Sequence, residues 1–371
     1  MDNLPKGWKN VEWNDVLIIK NGKNQRNVID KNGIYPIYGS GGIMGYANDF
    51  ICNEDTTIIG RKGSINNPIF VKSKFWNVDT AFGVCAGKDL DNKFLHYFCL
   101  SYDFSKHNKS TTLPSLTKTD LLKIPIPLPT LSEQTRIVAK LDALFARIDK
   151  SIALLEENIK HTKALMASVL EEVFHSSTKQ IAVSEIVVKT VNINPLVEPD
   201  TQFTYIDITS VNNRLHQIED PKIILGKNAP SRAKKLVVSG DIVFATTRPN
   251  LKNIAIVNKN YSNPVASTGF CVLRTKKKIS NEFLFLCLLS NNVQEQIKPF
   301  IRGAQYPAIS DSDLLKCKIP DLSYAQQIEF ANKIMNLRNK LSKVNSVQQS
   351  KLVYFKALKS SLLDRAFKGE L

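Results

Sequence analysis

Four glycines and a serine crowd the run YPIYGSGGIMGY (Tyr35 to Tyr46), between aromatic flanks suited to strands. Glycine-rich turns hold phosphate when a strand feeds them into a helix whose first amides meet the anion. Here the last glycine falls at 45 rather than 44, and no amphipathic helix follows. The run therefore reads as a turn in a strand pair that presents its backbone to a ligand. GRKGS (Gly60 to Ser64) reverses the order of a phosphate-binding GK[ST]. NNPIF (Asn66 to Phe70) approaches the Asp/Asn-Pro-Pro-Phe/Tyr motif of adenine methyltransferases. Isoleucine holds its second proline position, however, and no glycine strand for S-adenosylmethionine accompanies it.

Nucleophilic and metal chemistry find no better support. His96, His107, His161, His175 and His216 lie apart, with no serine, cysteine or aspartate motif around them. Cys52, Cys85, Cys99, Cys271, Cys287 and Cys317 are scattered singly, without a C-x-x-C pair, and read as reduced core thiols. The sequence offers no catalytic residue, no metal site and no cofactor site in this chain.

The 371 residues carry a net charge of +16, which favours a polyanionic partner. The excess is uneven: about +4 over residues 1–130, −1 over 131–175, +8 over 176–320 and +5 over 321–371. Hydrophobic residues make up 43% and charged residues 23%, so a folded chain is expected. No apolar run approaches the roughly 18 residues needed to span a bilayer, and MDNLPKGWKN lacks the apolar stretch of a signal peptide. A cytoplasmic protein without a membrane partner is the expectation.

The elements that must position any binding residues emerge from an internal repeat. Pro114 to Phe174 aligns with Pro307 to Phe367 at a constant offset of 193, without a gap, and 17 of the 61 positions are identical. Weaker echoes lie upstream, FLHYFCLS (Phe94 to Ser101) against FLFLCLLS (Phe283 to Ser290) and DTAFGV (Asp79 to Val84) against STGFCV (Ser267 to Val272). Before those the halves diverge.

The repeated end is helical. Ile137, Leu141, Leu144, Ile148, Leu155, Ile159, Met166, Val169 and Val173 recur at spacings of three, four or seven, and no Gly or Pro interrupts Ser132 to Ser176. Pro129 blocks an earlier start, Thr130 or Ser132 can cap, and Glu133 stands in capping-box spacing from Thr130. The second copy repeats the stripe with Phe330, Ile334, Leu337, Leu341, Val344, Phe355, Leu358 and Leu362, and Gly369 suits its C′ position. At about 60 to 65 Å each, such helices need a partner, and their apolar positions build a coiled-coil-like pair. The order globule, helix, globule, helix makes that pair antiparallel, in a dumbbell with approximate two-fold symmetry.

Both globules show short β-prone runs bounded by turns, DTTIIG and PIFVKS in the first, FTYIDI, GDIVFATT and IAIVNK in the second. Short helices follow at NKFLHYFCLS and NEFLFLCLLS. The fold class is α+β: two mixed α/β globules joined by two long antiparallel coiled-coil helices, a pseudo-two-fold, circular repeat.

LPKGW, YPIYGSGGIMGY, DTAFGV, TLPSLTKTDLLKIPIPLPTLSEQTRIVAKLD and ALKSSLLDRAFKGEL together resemble the specificity subunit of type I restriction-modification systems, over nearly the whole chain. The IP.P.L..Q..I helix start, echoed by IPDLSYAQQIEF (Ile319 to Phe330), and the final LL..AF.GEL are its specific part. The resemblance implies target-recognition domains at 1–130 and 176–320, each reading one half of a bipartite double-stranded DNA site. It implies conserved spacer helices at 131–175 and 321–371 that dock two modification subunits. Those subunits would bind S-adenosylmethionine and methylate adenine, and restriction subunits would join them. The chain itself would be non-catalytic, with no cofactor of its own.

By the resemblance, Tyr38, Ser40 and Gly41 belong to a DNA-facing turn. The scheme needs cations for phosphates and polar groups for base edges. Arg61, Lys62 and Ser64 supply them after one strand, and Thr246, Thr247, Arg248, Asn250 and Lys252 after another. The loops Asn108 to Pro114 and Ile301 to Pro307 match at offset 193 and offer Lys109, Thr111 and Thr112 on one side, Arg302, Gln305 and Tyr306 on the other, and Arg232, Lys234 and Lys235 add to the second domain. Each alone is equally a solvated surface group; as a set in matching loops they point to DNA. Lys276 to Lys278 and the run from Lys20 to Arg26 read as solvated charge or non-specific attraction. Helix packing falls to Ile137, Leu141, Leu144, Ile148, Leu155, Ile334, Leu337, Leu341 and Val344. A heptad added to both helices should shift half-site spacing by about three base pairs. A coiled-coil scaffold without DNA binding is the competing expectation.

Overall fold

The computed structural model describes residues 4–175 and 177–371. The side chains of Val173 and His175, part of the stripe and of the histidine set above, lie outside the described residues. Contacts divide the chain into two units, Met1–Glu156 with Gln349–Leu371, and Glu157–Gln348.

In the first unit β1 (Lys9–Glu12), the single turn α1 (Trp13–Val16) and β2 (Leu17–Asn21) precede the hairpin of β3 (Tyr35–Gly39) and β4 (Gly42–Ala47). Strands β5 (Thr56–Gly60), β6 (Ile69–Val71), β7 (Trp76–Asn77) and β8 (Ala81–Ala86) follow. Then come α2 (Asn92–Ser101), α3 (Lys118–Leu122), β9 (Pro125–Leu128) and the long helix α4 (Leu131–His175). One sheet has the order β2-β8-β5-β6, a second β4-β3-β7, and β1 pairs with β9. Every residue of β5 is buried because β8 and β6 flank it on both sides. Pro125 and Pro127 are tolerated because β9 pairs only with β1.

Trp13 anchors the core, edge-on to Phe98 and Phe104. Ile137, Leu141 and Ile148 of α4 are buried there with Leu362, Leu363 and Phe367 of the C-terminal helix, and Leu144 packs against them. The helices run antiparallel: Arg136 reaches the Leu371 carbonyl at 2.6 Å, and Asp149 pairs with Lys359 at 2.8 Å. Thr130 caps α4 through the Glu133 amide at 3.4 Å, while the Glu133 carboxylate turns to Arg136 instead of closing a capping box. Gly369 has φ +72°, its amide reaching the Ala366 carbonyl while that of Glu370 reaches Arg365, which is a Schellman stop. A Cβ at Gly369 would lie 2.1 Å from Pro5.

The second unit contains β10 (Gln180–Ala182), α5 (Val183–Ile186), β11 (Val187–Val188), β12 (Gln202–Ile206), and a small hairpin of β13 (Val211–Asn212) and β14 (Gln217–Ile218). Strands β15 (Lys222–Leu225), β16 (Ala233–Leu236), β17 (Ile242–Ala245), β18 (Ile254–Ile256), β19 (Pro264–Ser267) and β20 (Phe270–Thr275) come next. Helices α6 (Asn281–Leu289), α7 (Asn291–Ile297) and α8 (Asp311–Leu315), strand β21 (Lys318–Pro320) and the long helix α9 (Tyr324–Phe367) complete it.

Its sheet order, β11-β20-β17-β18, is that of β2-β8-β5-β6, and β10 pairs with β21 as β1 does with β9. The duplication thus runs through the globules, where the two sequences diverge. The parallel pair β3 and β7 likewise has its counterpart in β12 and β19, but the second unit adds β16 and the β13–β14 hairpin. Ile334 is buried beside Val169, Leu170 and Phe174, and Leu337 packs against them. Leu155 and Leu341 are half-buried. Val344 departs from the expected stripe: it is 46% exposed, amid the polar stretch Ser342 to Ser346 that interrupts the apolar period.

The repeated glutamine of the helix start has the same task twice. Gln134 accepts from the Asp91 amide at 2.7 Å and donates to the Pro129 and Asp89 carbonyls. Gln327 accepts from the Ser280 amide at 2.9 Å and donates to Leu322. Each buried amide ties a long helix to the residue that caps α2 or α6. Among the described residues no helix is long and apolar enough to cross a membrane.

Candidate nucleic-acid interface

The loop after β5 and the loop after β17 are laced to a later segment by the same bonds. In the first unit the Leu116 amide reaches Arg61 O at 2.9 Å, Lys62 bridges Ser115, and the Gly63 amide reaches Pro114 O at 2.9 Å. In the second the Ile309 amide reaches Thr246 O at 2.9 Å, Thr247 bridges Ala308, and the Arg248 amide reaches Pro307 O at 2.6 Å. This lacing makes Gly63 and Arg248 equivalent positions. Both have positive φ, +82° and +51°. Glycine adopts that backbone freely, whereas it costs arginine on the order of 1 kcal/mol.

Three predicted clusters converge in the first unit. The glycine-rich run forms the β3–β4 hairpin, and its tip touches the GRKGS loop: a Cβ built on Gly60 or Gly63 would lie 3.1 or 3.5 Å from the Ser40 side chain. Gly41 is exposed with open space around it. Tyr38 is half-buried, edge-on to Phe75, and burial beside Tyr46 raises its pKa. Arg61 lies over the Phe82 ring at 5.9 Å and donates to Asp79 O at 3.3 Å, leaving much of its guanidinium exposed. Lys62, Ser64, Thr111 and Thr112 are exposed. Lys109 pairs with Asp120 at 2.7 Å, and together with Thr117 it holds that carboxyl below its usual range.

In the second unit an open cleft of about 940 Å³ gathers Arg232, Thr247, Arg248 and Tyr306 from the predicted set. Asn250, Arg302 and Gln305 are exposed outside its lining. Other predicted residues are engaged elsewhere. The buried Thr246 hydroxyl donates to Gly269 O, Lys234 donates to Asn194, and Lys235 is paired with Asp311. Lys252 turns inward to the Leu289 carbonyl at 2.8 Å, and burial lowers its pKa.

Thr209, Asn212, Asn213 and Arg214 also line the cleft, and sequence reasoning missed them. They lie on the turn after β12 and on the β13–β14 hairpin; the asparagine pair within DITSVNNRLH was the available signal. The hairpin is pinned from two sides. Asn213 donates to Leu251 O at 3.1 Å, and Arg338 of α9 donates to Leu215 O while its guanidinium lies 5.2 Å over the Phe285 ring. At the adjacent turn, burial would raise the Asp207 pKa, but Lys222 at 2.6 Å and Thr209 outweigh it and hold the carboxyl at about 2. Among the described residues Arg214, Arg232 and Arg248 form no ion pair, and Glu219, the acidic residue of the lining, accepts from Asn212 at 2.9 Å. The cleft therefore offers three guanidinium forks and several amides to an anionic, hydrogen-bonding ligand.

Among the described residues no group of three or more His, Cys, Asp or Glu is placed to hold a metal ion. The six cysteines are free.

A family model described as the type I restriction modification DNA specificity domain matches residues 5–160 and 169–352. The chain is 24% identical to the type I restriction enzyme EcoDI specificity subunit of Escherichia coli, across 99% of this chain and 89% of that one. It is 27% identical to the MjaVIII specificity subunit of Methanocaldococcus jannaschii, across 91% and 87%. Among solved structures, a chain from a study of the assembly and conformational transition of a type I restriction-modification system superposes with a TM-score of 0.75 over the full length of both chains, at 18% identity.

Proposed function

The chain belongs to the type I restriction-modification DNA specificity family, and on that premise we propose that it selects the DNA site for such a system. Residues 1–130 and 176–320 serve as target-recognition domains, each taking one half of a bipartite duplex site. Residues 131–175 and 321–371 are spacer helices on which two modification subunits dock, with restriction subunits joining through them. S-adenosylmethionine and methyl transfer belong to the modification subunit, and this chain supplies only the choice of site.

The observation that carries this reading is the repeated lacing, which presents unlike side chains from one backbone frame: Arg61 and Lys62 in one unit, Thr247 and Arg248 in the other. Two dissimilar half-sites are what such a pair would read. A scaffold that never met DNA would leave the unpaired arginines of the cleft without a task.

Exchange of residues 180–320 for the corresponding segment of a relative with another specificity tests the reading, with methylated adenines mapped in cells that also carry the modification subunit. One half of the motif should change and the other persist. A motif unchanged, or altered in both halves, would count against it.

A further inference from the structure

We propose that Arg248 reads a guanine in the half-site taken by the second unit, with Tyr306 holding its guanidinium in plane. The inference rests on the DNA-recognition reading above and deepens it to one side chain and one base.

The second unit places an arginine where the shared frame has Gly63 in the first, and it does so on left-handed backbone, φ +51° and ψ +55°. Lys252, four residues on, is also left-handed at φ +51°, but its ammonium is spent on the Leu289 carbonyl. A strained backbone persists where its surroundings hold it and clusters at ligand sites. Here the holding bond is the Arg248 amide to Pro307 O at 2.6 Å, one residue from Tyr306.

The side chain has a neighbour of its own. The Arg248 guanidinium carbon lies 5.5 Å from the centroid of the Tyr306 ring, and that ring is 68% exposed at the cleft. An arginine lying over an aromatic face can keep the edge of its fork free, and a planar fork loses little further freedom when it forms paired bonds. Among the described residues no carboxylate satisfies it.

Phosphate does not require such orientation, whereas the O6 and N7 edge of guanine does, because both bonds must form at once in the plane of the base. Arg214 and Arg232 line the same cleft, and among the described residues neither lies over an aromatic ring, which suits them to the DNA backbone. The first unit has Gly63 at this position; its Arg61, two residues earlier, lies 5.9 Å over the Phe82 ring but already donates to Asp79 O.

Arg248→Gly tests this with little risk to folding, since glycine occupies the equivalent backbone in the first unit. The full chain, co-expressed with its modification subunit, is assayed by methylation of DNA variants at every position of both half-sites. The wild type should require a G·C pair at one position of the half-site that the 180–320 exchange alters. Arg248→Gly should reduce discrimination there by about 5- to 150-fold and leave every other position as it was. Tyr306→Leu should blunt the same position less.

Undiminished preference in Arg248→Gly would overturn the proposal. So would a uniform loss at all sequences with a shallower salt dependence, the mark of a phosphate contact, or a wild-type half-site with no G·C requirement. A wild-type complex that marks no bipartite site would overturn the function reading itself, and this proposal with it.

Discussion

Replacing Gln134 by leucine should loosen the first unit and leave the second intact. The side chain is fully buried, and its amide joins the Asp91 N–H and the Pro129 and Asp89 carbonyls at 2.7, 2.9 and 3.0 Å. Leucine fills similar volume but orphans those groups. Asp89 is exposed and finds water, so the Asp91 amide and the buried Pro129 carbonyl carry the loss. At about 1–3 kcal/mol for each orphaned buried group, the working figure is about 3 kcal/mol. For a unit of this size that lowers its melting temperature by roughly 6–12 °C. Hydrogen exchange resolved by segment is the suitable assay, because a chain of two units does not melt in one two-state step. Protection should fall at the start of α2, where Asp91 caps the Lys93 and Phe94 amides, and along the first turns of α4. Gln327→Leu should do the same at α6, more mildly, since one of the two groups it orphans, the Leu322 carbonyl, belongs to a half-buried residue. A melting shift under about 2 °C for Gln134→Leu, or equal loss of protection in residues 180–320, would refute the assigned role.

Burial, aided by Lys93, lowers the His96 pKa to about 4, and burial, aided by Arg338, lowers that of His216 to about 4. The unfolded chain takes up these protons near pH 6.5, so the stability they contribute is full above that pH and drains as pH falls toward 4. Melting should drop between pH 7.5 and 5, and His216→Gln should flatten that drop in the second unit; an unchanged slope would contradict this. Gly60→Ala places a Cβ 2.3 Å from the Ser64 carbonyl and must shift the GRKGS loop, so methylation should lose selectivity at the first unit's half-site; unchanged selectivity there would contradict the placing of that loop. Arg338→Leu removes the bond to Leu215 and the contact with Phe285; faster exchange of the β13–β14 amides and looser choice at the second unit's half-site are expected, and unaltered exchange would sink the assignment.

The long helices were legible because their apolar period, proline stop, cap and terminal glycine are local signals, and an ungapped repeat states them twice. The shared frame of the globules was not, since it resides in strand order and in backbone bonds such as those of Gly63 and Arg248, to which unlike side chains contribute nothing. Strands of two or three residues, such as β13 and β14, are too short to show a period. Basic residues could be counted but not sorted: Lys235 and Lys252 serve the unit's own carboxylate and carbonyl, while Arg248 forms no ion pair among the described residues. The cleft's remaining wall, Thr209 through Arg214, follows from β13–β14 docking beneath the Leu251 turn, a contact made across nearly forty residues of chain.

A map of methylated adenines across the genome of cells expressing this chain with its modification subunit tests most directly whether two unlike loop clusters on one duplicated frame read two halves of a site. The expected result is a single asymmetric motif, two different half-sites separated by a constant number of unread base pairs. A continuous motif, a symmetric one, or marks at variable separation would contradict it.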